Sequence, residues 1–283
     1  MLELLSEHAC FGGVQRFYRH HSQAIGLPMR FSVFLPPQAA TAKVPALFYL
    51  AGLTCSEETF MIKAGAQRSA AQTGLMLIAP DTSPRNAAIP GEAESWDLGL
   101  AAGFYVDATE QPWAKHYRMY SYILELRALL LAEFPVHAGA IGICGHSMGG
   151  HGALVLGLRN PQLFQSISAL APICAPCQVP WGRKALQAYL GPDEHAWQMY
   201  DASQIMTSQT ASWPKNRPIL IDQGLADQFL ANQLLPEVFE AACAKVAQPI
   251  QLRRHAGYDH GYYFIASFIE EHIRFHADIL AAC

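Results

Sequence analysis

The 283-residue chain is 51% hydrophobic and 15% charged, which permits a large buried core and excludes an intrinsically disordered protein. Lysine and arginine total 19 against 23 acids, a net charge of −4 with no block of like charge. That excludes the basic footprint of a nucleic-acid binder and a polybasic membrane patch.

The N-terminal MLELLSEHACFGG lacks the basic region, apolar run and cleavage site of a signal peptide, and no apolar run is long enough to span a bilayer. The expectation is a soluble, cytoplasmic protein. Along the chain, Met29, Phe31, Val33 and Leu35 alternate up to Pro36-Pro37 and predict an early strand. Short continuous apolar runs follow at Ala46–Leu50, Leu75–Ala79, Ala140–Cys144, Ile167–Leu170 and Ile219–Asp222. Their length suits strands buried on both faces of a parallel sheet.

Helical spacing runs from Met119 to Phe134, where Pro135 stops it, and from Met148 to Leu158. Two further helices are expected over Leu234–Val246 and Tyr262–Leu280. Alternating strands and helices predict a three-layer α/β/α sandwich with a mostly parallel central sheet. No repeat or linker interrupts the pattern, so residues 1–283 read as one domain. Seven scattered cysteines do not form a disulfide framework. Cys174 and Cys177 form a C-x-x-C pair without a second pair or spaced histidines, and a structural role suits them better than metal or redox chemistry.

Gly145-His146-Ser147-Met148-Gly149 lies between a buried-strand pattern and a helix start, the context that a G-x-S-x-G nucleophile turn requires. A serine at the apex of so sharp a turn needs glycine neighbours. Ser147 then sits at the positive end of the following helix, and the Met148 N–H faces the oxygen of a reacting carbonyl. A serine hydroxyl needs a histidine base oriented by a carboxylate, and in this fold class the chain order is serine, acid, histidine.

Two acids follow the strand at Ile219, Asp222 and Asp227. Asp222 lies within or at the edge of the strand, whereas Asp227 lies in the loop beyond Gly224 and is favoured. Asp193 and Asp201 read as solvated loop acids. His260, at the lip of the closing helix, is the expected base. His255 belongs to the end of the last strand, and His146 and His151 read as packing or hydrogen-bonding residues. After the strand at Ala46, Gly52 allows close approach, and the Leu53 N–H is the expected second oxyanion donor.

These residues resemble the S-formylglutathione hydrolase (esterase D) family of the α/β-hydrolase fold. The resemblance runs through Gly52-Leu53-Thr54-Cys55, Lys63-Ala64-Gly65-Ala66-Gln67-Arg68, Ala79-Pro80-Asp81-Thr82-Ser83-Pro84-Arg85 and Ser95-Trp96-Asp97. It continues through residues 102–109, 117–122 and 145–154, Pro180-Trp181-Gly182, residues 224–230, Tyr258-Asp259-His260 and residues 262–265. It implies a Ser147–Asp227–His260 triad with oxyanion donors Leu53 and Met148. The implied activity is cofactor-free and metal-free hydrolysis of S-formylglutathione to glutathione and formate, in a homodimer.

One departure is Gly261, where the family pattern has serine. By analogy Trp96 and Trp181 are candidates for the wall of a small acyl pocket, with ordinary core or rim aromatics an equal reading, and Cys55 lies beside the oxyanion loop, within reach of thiol reagents. Lys63, Arg85 and Lys184 are candidates for the glutathione carboxylates, with surface solvation the simpler reading for each. The competing functions are a general short-chain carboxylesterase with the same catalytic residues and a non-catalytic binding module of the same fold.

Overall fold

A computed structural model describes residues 2–208 and 213–283. Its strands are β1 (Glu3–Cys10), β2 (Gly13–His21), β3 (Pro28–Leu35), β4 (Val44–Leu50), β5 (Met76–Pro80), β6 (Val136–His146), β7 (Ser166–Leu170), β8 (Ile219–Gly224) and β9 (Ile250–His255). They form one sheet in the order β1-β2-β3-β5-β4-β6-β7-β8-β9. The strands from β4 to β9 pair in parallel, and β1, β2 and β3 join antiparallel at one edge. Each expected strand is present.

The hairpin of β1 and β2 was not expected. Almost every β1 side chain is exposed, so this edge strand carries no run of apolar or alternating residues for a sequence reading to find. It is held instead by its ladder to β2 and by the pairs Glu3–Arg19 and Glu7–Arg16.

The helices among the described residues are α1 (Thr59–Lys63), α2 (Gln67–Thr73), α3 (Met119–Glu133), α4 (Met148–Arg159), α5 (Pro180–Leu190), α6 (Glu194–Trp197), α7 (Ala202–Thr207), α8 (Pro236–Lys245) and α9 (Tyr262–Leu280). Successive residues of a strand face opposite sides of a sheet. On β6, Gly142 faces His276 of α9 and Ile143 faces Gly157 of α4, so α9 and α4 cover opposite faces. The helix α2 packs beside α9, while α7 joins α4 and α8. These are the three layers expected from the alternation. No helix among the described residues is long and apolar enough to cross a membrane.

The central strands are buried on both faces: every residue of β5, β7 and β8 is inaccessible or nearly so. Burying an apolar side chain of this size is worth about 1.5–3 kcal/mol. Such a core fixes the strand ends, and the loops leaving β4, β6, β8 and β9 carry the site.

Candidate active site

Ser147 follows β6 and caps α4, with φ 56° and ψ −119°. This left-handed conformation is costly for a residue with a side chain, and three backbone bonds hold it. The Ser147 N–H donates to Leu170 O at 3.0 Å, and its carbonyl accepts from His151 N at 3.0 Å and Ile173 N at 3.2 Å. The flanking glycines are required by proximity. A Cβ on Gly145 would fall 2.1 Å from Gly149 O, and one on Gly149 would fall 1.9 Å from Leu50 O.

His260 Nε2 lies 2.9 Å from Ser147 Oγ, and His260 Nδ1 lies 2.6 Å from Asp227 Oδ2. A carboxylate only accepts, so Nδ1 carries the proton and Nε2 presents a lone pair to the serine hydroxyl. Asp227 is fixed by the Phe229 N–H on Oδ1 at 2.8 Å and by Gln223 Nε2 on Oδ2 at 3.2 Å. Its loop is tied to the histidine loop by Leu225 N to His255 O and Ala226 N to Tyr258 O, both 2.9 Å. The three side chains come from three separate loops, and the order of the strands brings them together.

The other acid, Asp222, points elsewhere. It is fully buried in β8, accepts from Arg253 Nε at 2.6 Å and Nη2 at 2.5 Å, and meets His272 Nε2 at 3.1 Å. Burial opposes its ionisation, but the hydrogen bonds from His272 and Arg253 outweigh burial and hold its carboxyl far below the usual range.

A cavity of about 340 Å³ opens above Ser147, lined by Gly52, Leu53, Cys55, Lys63, Trp96, His146, Trp181, Phe229, His260 and Tyr262 among others. Leu53 follows Gly52 in the loop after β4, and Met148 opens α4. Neither amide has an acceptor among the described residues. Trp181 is buried and meets Trp96 edge-on at 5.3 Å, while Trp96 is 54% exposed at the rim. Phe229 touches both Trp181, at 4.6 Å, and His260, at 5.0 Å, so aromatic rings run continuously from the rim to the base.

The chain belongs to the S-formylglutathione hydrolase family. It is 52% identical to the S-formylglutathione hydrolase of Rattus norvegicus over 283 residues, 99% of each chain. The solved S-formylglutathione hydrolase of Agrobacterium tumefaciens is 44% identical, with a TM-score of 0.94 over 98% of this chain and 99% of that one. The Esterase family model matches residues 22–275. A Staphylococcus aureus serine hydrolase, 21% identical over 94% of this chain and 98% of that one with a TM-score of 0.75, shares the fold. The α/β-hydrolase fold read from the sequence is thereby shown.

Several residues of this family member depart from the sequence reading. Asp201 is not solvated: it is buried, caps α7 through Ser203 N and Gln204 N, and accepts Cys177 N–H at 3.1 Å. Asp193, by contrast, is an exposed cap of α6. Arg85 is no surface cation. It grips Asp81 through Nε and Nη2 and donates from Nη2 to Cys55 O at 2.8 Å. Lys184 is bound to Asp97 Oδ1 at 2.5 Å and Ser95 Oγ at 2.8 Å, fixing the loop that carries Trp96.

His151 Nε2 donates to Phe104 O at 2.9 Å, and burial pushes its pKa down to about 4. His146 is buried with its ring 4.5 Å from that of His260. Burial, then the neighbouring His260, holds it well below the ordinary histidine value. Burial also pushes the Cys174 and Cys177 thiols up, the opposite of what a redox-active pair needs. Phe229, Tyr262 and Gln223 were missed by sequence reading. The first two lie two residues beyond Asp227 and His260, which is the signal that could have found them.

Proposed function

We propose that the chain hydrolyses S-formylglutathione to glutathione and formate, with Ser147 as nucleophile, His260 as base and Asp227 as the group that orients it. The observation that carries this reading is the run of contacts Ser147 Oγ to His260 Nε2 to Asp227 Oδ2, at the floor of a cavity of about 340 Å³. The full-length likeness to proteins named S-formylglutathione hydrolase supplies the substrate.

His260 Nε2 takes the hydroxyl proton as Ser147 Oγ attacks the formyl carbon, and Asp227 stabilises the imidazolium that results. The oxyanion accepts from the Leu53 and Met148 N–H groups, each worth about 3 kcal/mol of barrier. The C–S bond then breaks, His260 returns its proton to the departing sulfur, and a formyl ester remains on Ser147. A thiol with a pKa of about 8.5 leaves more readily than an alcohol. Water, deprotonated by His260, attacks that ester, and formate departs as Ser147 recovers its proton. Every step uses this chain's own groups and water.

Trp96, Trp181 and Cys55 form the substrate wall in this reading. The continuous sheet supports treating residues 1–283 as one domain, and the cytoplasmic location and homodimer implied by the family complete the proposal. Light scattering tests the dimer. The deciding experiment is steady-state hydrolysis of S-formylglutathione beside p-nitrophenyl acetate, for wild type and Ser147→Ala. The expected result is a strong thioester preference with both activities lost in the variant. Equal or better ester turnover would favour the general esterase, and full activity without Ser147 would overturn the mechanism.

A further inference from the structure

Among the described residues, the cavity over Ser147 is lined by one lysine and by no other lysine, arginine or carboxylate. Lys63 ends α1, and its Nζ lies 5.6 Å from the centre of the Tyr262 ring. It has no carboxylate partner among the described residues. The neighbouring cations are engaged: Lys184 with Asp97, and Arg85 with Asp81. An ammonium held against an aromatic face keeps its charge and gives up some of its freedom in advance. Binding an anion there costs less side-chain entropy than at an unrestrained lysine.

We infer that Lys63 receives a carboxylate of the glutathionyl group and so sets the preference of this site for glutathione thioesters over neutral esters; the inference rests on the substrate reading above. With the formyl carbon at Ser147 Oγ, the tripeptide has to leave the floor of the cavity. A volume of about 340 Å³ lies near the small end of ligand sites, about 300–1,000 Å³, so the rest of the substrate runs along the wall. The glutathionyl group carries two carboxylates and one ammonium. The aromatic wall of Trp96, Trp181 and Phe229 offers them no charge, and Lys63 alone does.

The test compares kcat/KM for S-formylglutathione and p-nitrophenyl acetate in wild type, Lys63→Met and Lys63→Arg. Because the readout is the ratio of the two substrates, a general loss of active enzyme cancels. The expected result is a fall in the thioester-to-ester ratio of about tenfold in Lys63→Met, carried by KM, with most of the ratio kept in Lys63→Arg. Tenfold corresponds to about 1.4 kcal/mol. Added salt should raise the thioester KM of wild type and leave that of Lys63→Met nearly flat, because screening acts on the lost pair.

S-formylglutathione esterified on its glycyl carboxylate separates the two carboxylates. If Lys63 meets the glycyl group, wild type treats this ester as Lys63→Met treats the parent compound; if it meets the γ-glutamyl group, the ester loses nothing. An unchanged ratio in Lys63→Met, with wild type still turning over S-formylglutathione, overturns the subsite alone. Failure of wild type to turn over S-formylglutathione overturns the substrate reading and the subsite with it.

Discussion

Adding one methyl group at Gly52 should slow the chemistry without unfolding the protein. Gly52 does not adopt the left-handed conformation that disfavours side chains, so the cost of Gly52→Ala is steric. The new Cβ would stand 3.1 Å from Ser147 Cβ, 3.2 Å from His146 Nδ1 and 3.3 Å from His146 O. None of these neighbours can swing away. Ser147 is held by three backbone bonds, and His146 is buried against His260. The peptide from Gly52 to Leu53 must therefore yield by a few tenths of an ångström, carrying the Leu53 N–H away from the oxyanion.

Complete loss of one such donor costs about 10²–10³ in kcat. A partial displacement should cost about 10- to 100-fold, or about 1.4–2.7 kcal/mol of barrier. Overpacking costs about 1–3 kcal/mol of stability, which lowers Tm by several degrees and leaves the chain folded at 25 °C. Steady-state kinetics on both substrates, with a melting curve for each sample, measures both effects. A kcat within twofold of wild type would refute the reasoning: either the loop relaxes freely or the Leu53 amide takes no part.

Asp227→Asn should lower kcat by about 10⁴ by favouring the wrong tautomer of His260; a loss below tenfold in pre-steady-state and steady-state assays would remove Asp227 from its role. Asp222→Ala should instead act on stability. Removing one partner of a buried ion pair costs about 3–5 kcal/mol, with the lower figure expected because Arg253 is a third exposed; urea denaturation measures it, and loss of kcat in fully folded protein would contradict it.

The buried, neutral histidines His146, His151 and His276 have folded pKa values below the ordinary value of about 6.5. Their contribution is therefore complete above that pH and is lost as pH falls below it. His151, at about 4, alone accounts for about 3 kcal/mol by pH 4, and a flat urea midpoint between pH 8 and pH 5 would contradict the set. Burial raises the pKa of Cys55, so its alkylation should be slow at pH 7 and faster at pH 9, and should block the cavity; unchanged activity after mass-confirmed modification would dismiss it.

The parts of the molecule legible from sequence were those where one physical demand dominates. The strands β4, β5, β7 and β8 and the second half of β6 are buried on both faces and read as apolar runs, and the turn at Ser147 reads through glycines that backbone proximity enforces. The chain order of acid and histidine then left few candidates. The hairpin of β1 and β2 was illegible because its edge strand faces water, where almost any side chain is allowed. The engagement of Arg85, Lys184 and Asp201 was illegible for a different reason. Each is satisfied by a partner chosen through tertiary placement, and nothing in the neighbouring residues distinguishes a buried cap such as Asp201 from an exposed one such as Asp193.

The rival acid Asp222 shows why a buried carboxylate next to an active site need not be part of its chemistry. His272 Nδ1 meets Ser168 Oγ at 2.8 Å, and His276 bridges Ser166 Oγ at 2.6 Å and Ser168 Oγ at 2.7 Å. With Asp222 and Arg253, these side chains join β7, β8, β9 and α9 through polar contacts inside an otherwise apolar core. A satisfied buried network tolerates displacement poorly, since any broken member leaves an unpaired polar group in a medium of low dielectric. It is also placed to matter. Asp227 lies five residues beyond Asp222, His260 lies five residues beyond His255, the last residue of β9, and α9 begins two residues after His260. A network that fixes β8, β9 and α9 relative to one another also fixes the roots of the two loops that bring Asp227 and His260 to Ser147. Asp222 thus belongs to the framework of the site, and its substitution should change how firmly the triad is held before it changes what the triad does.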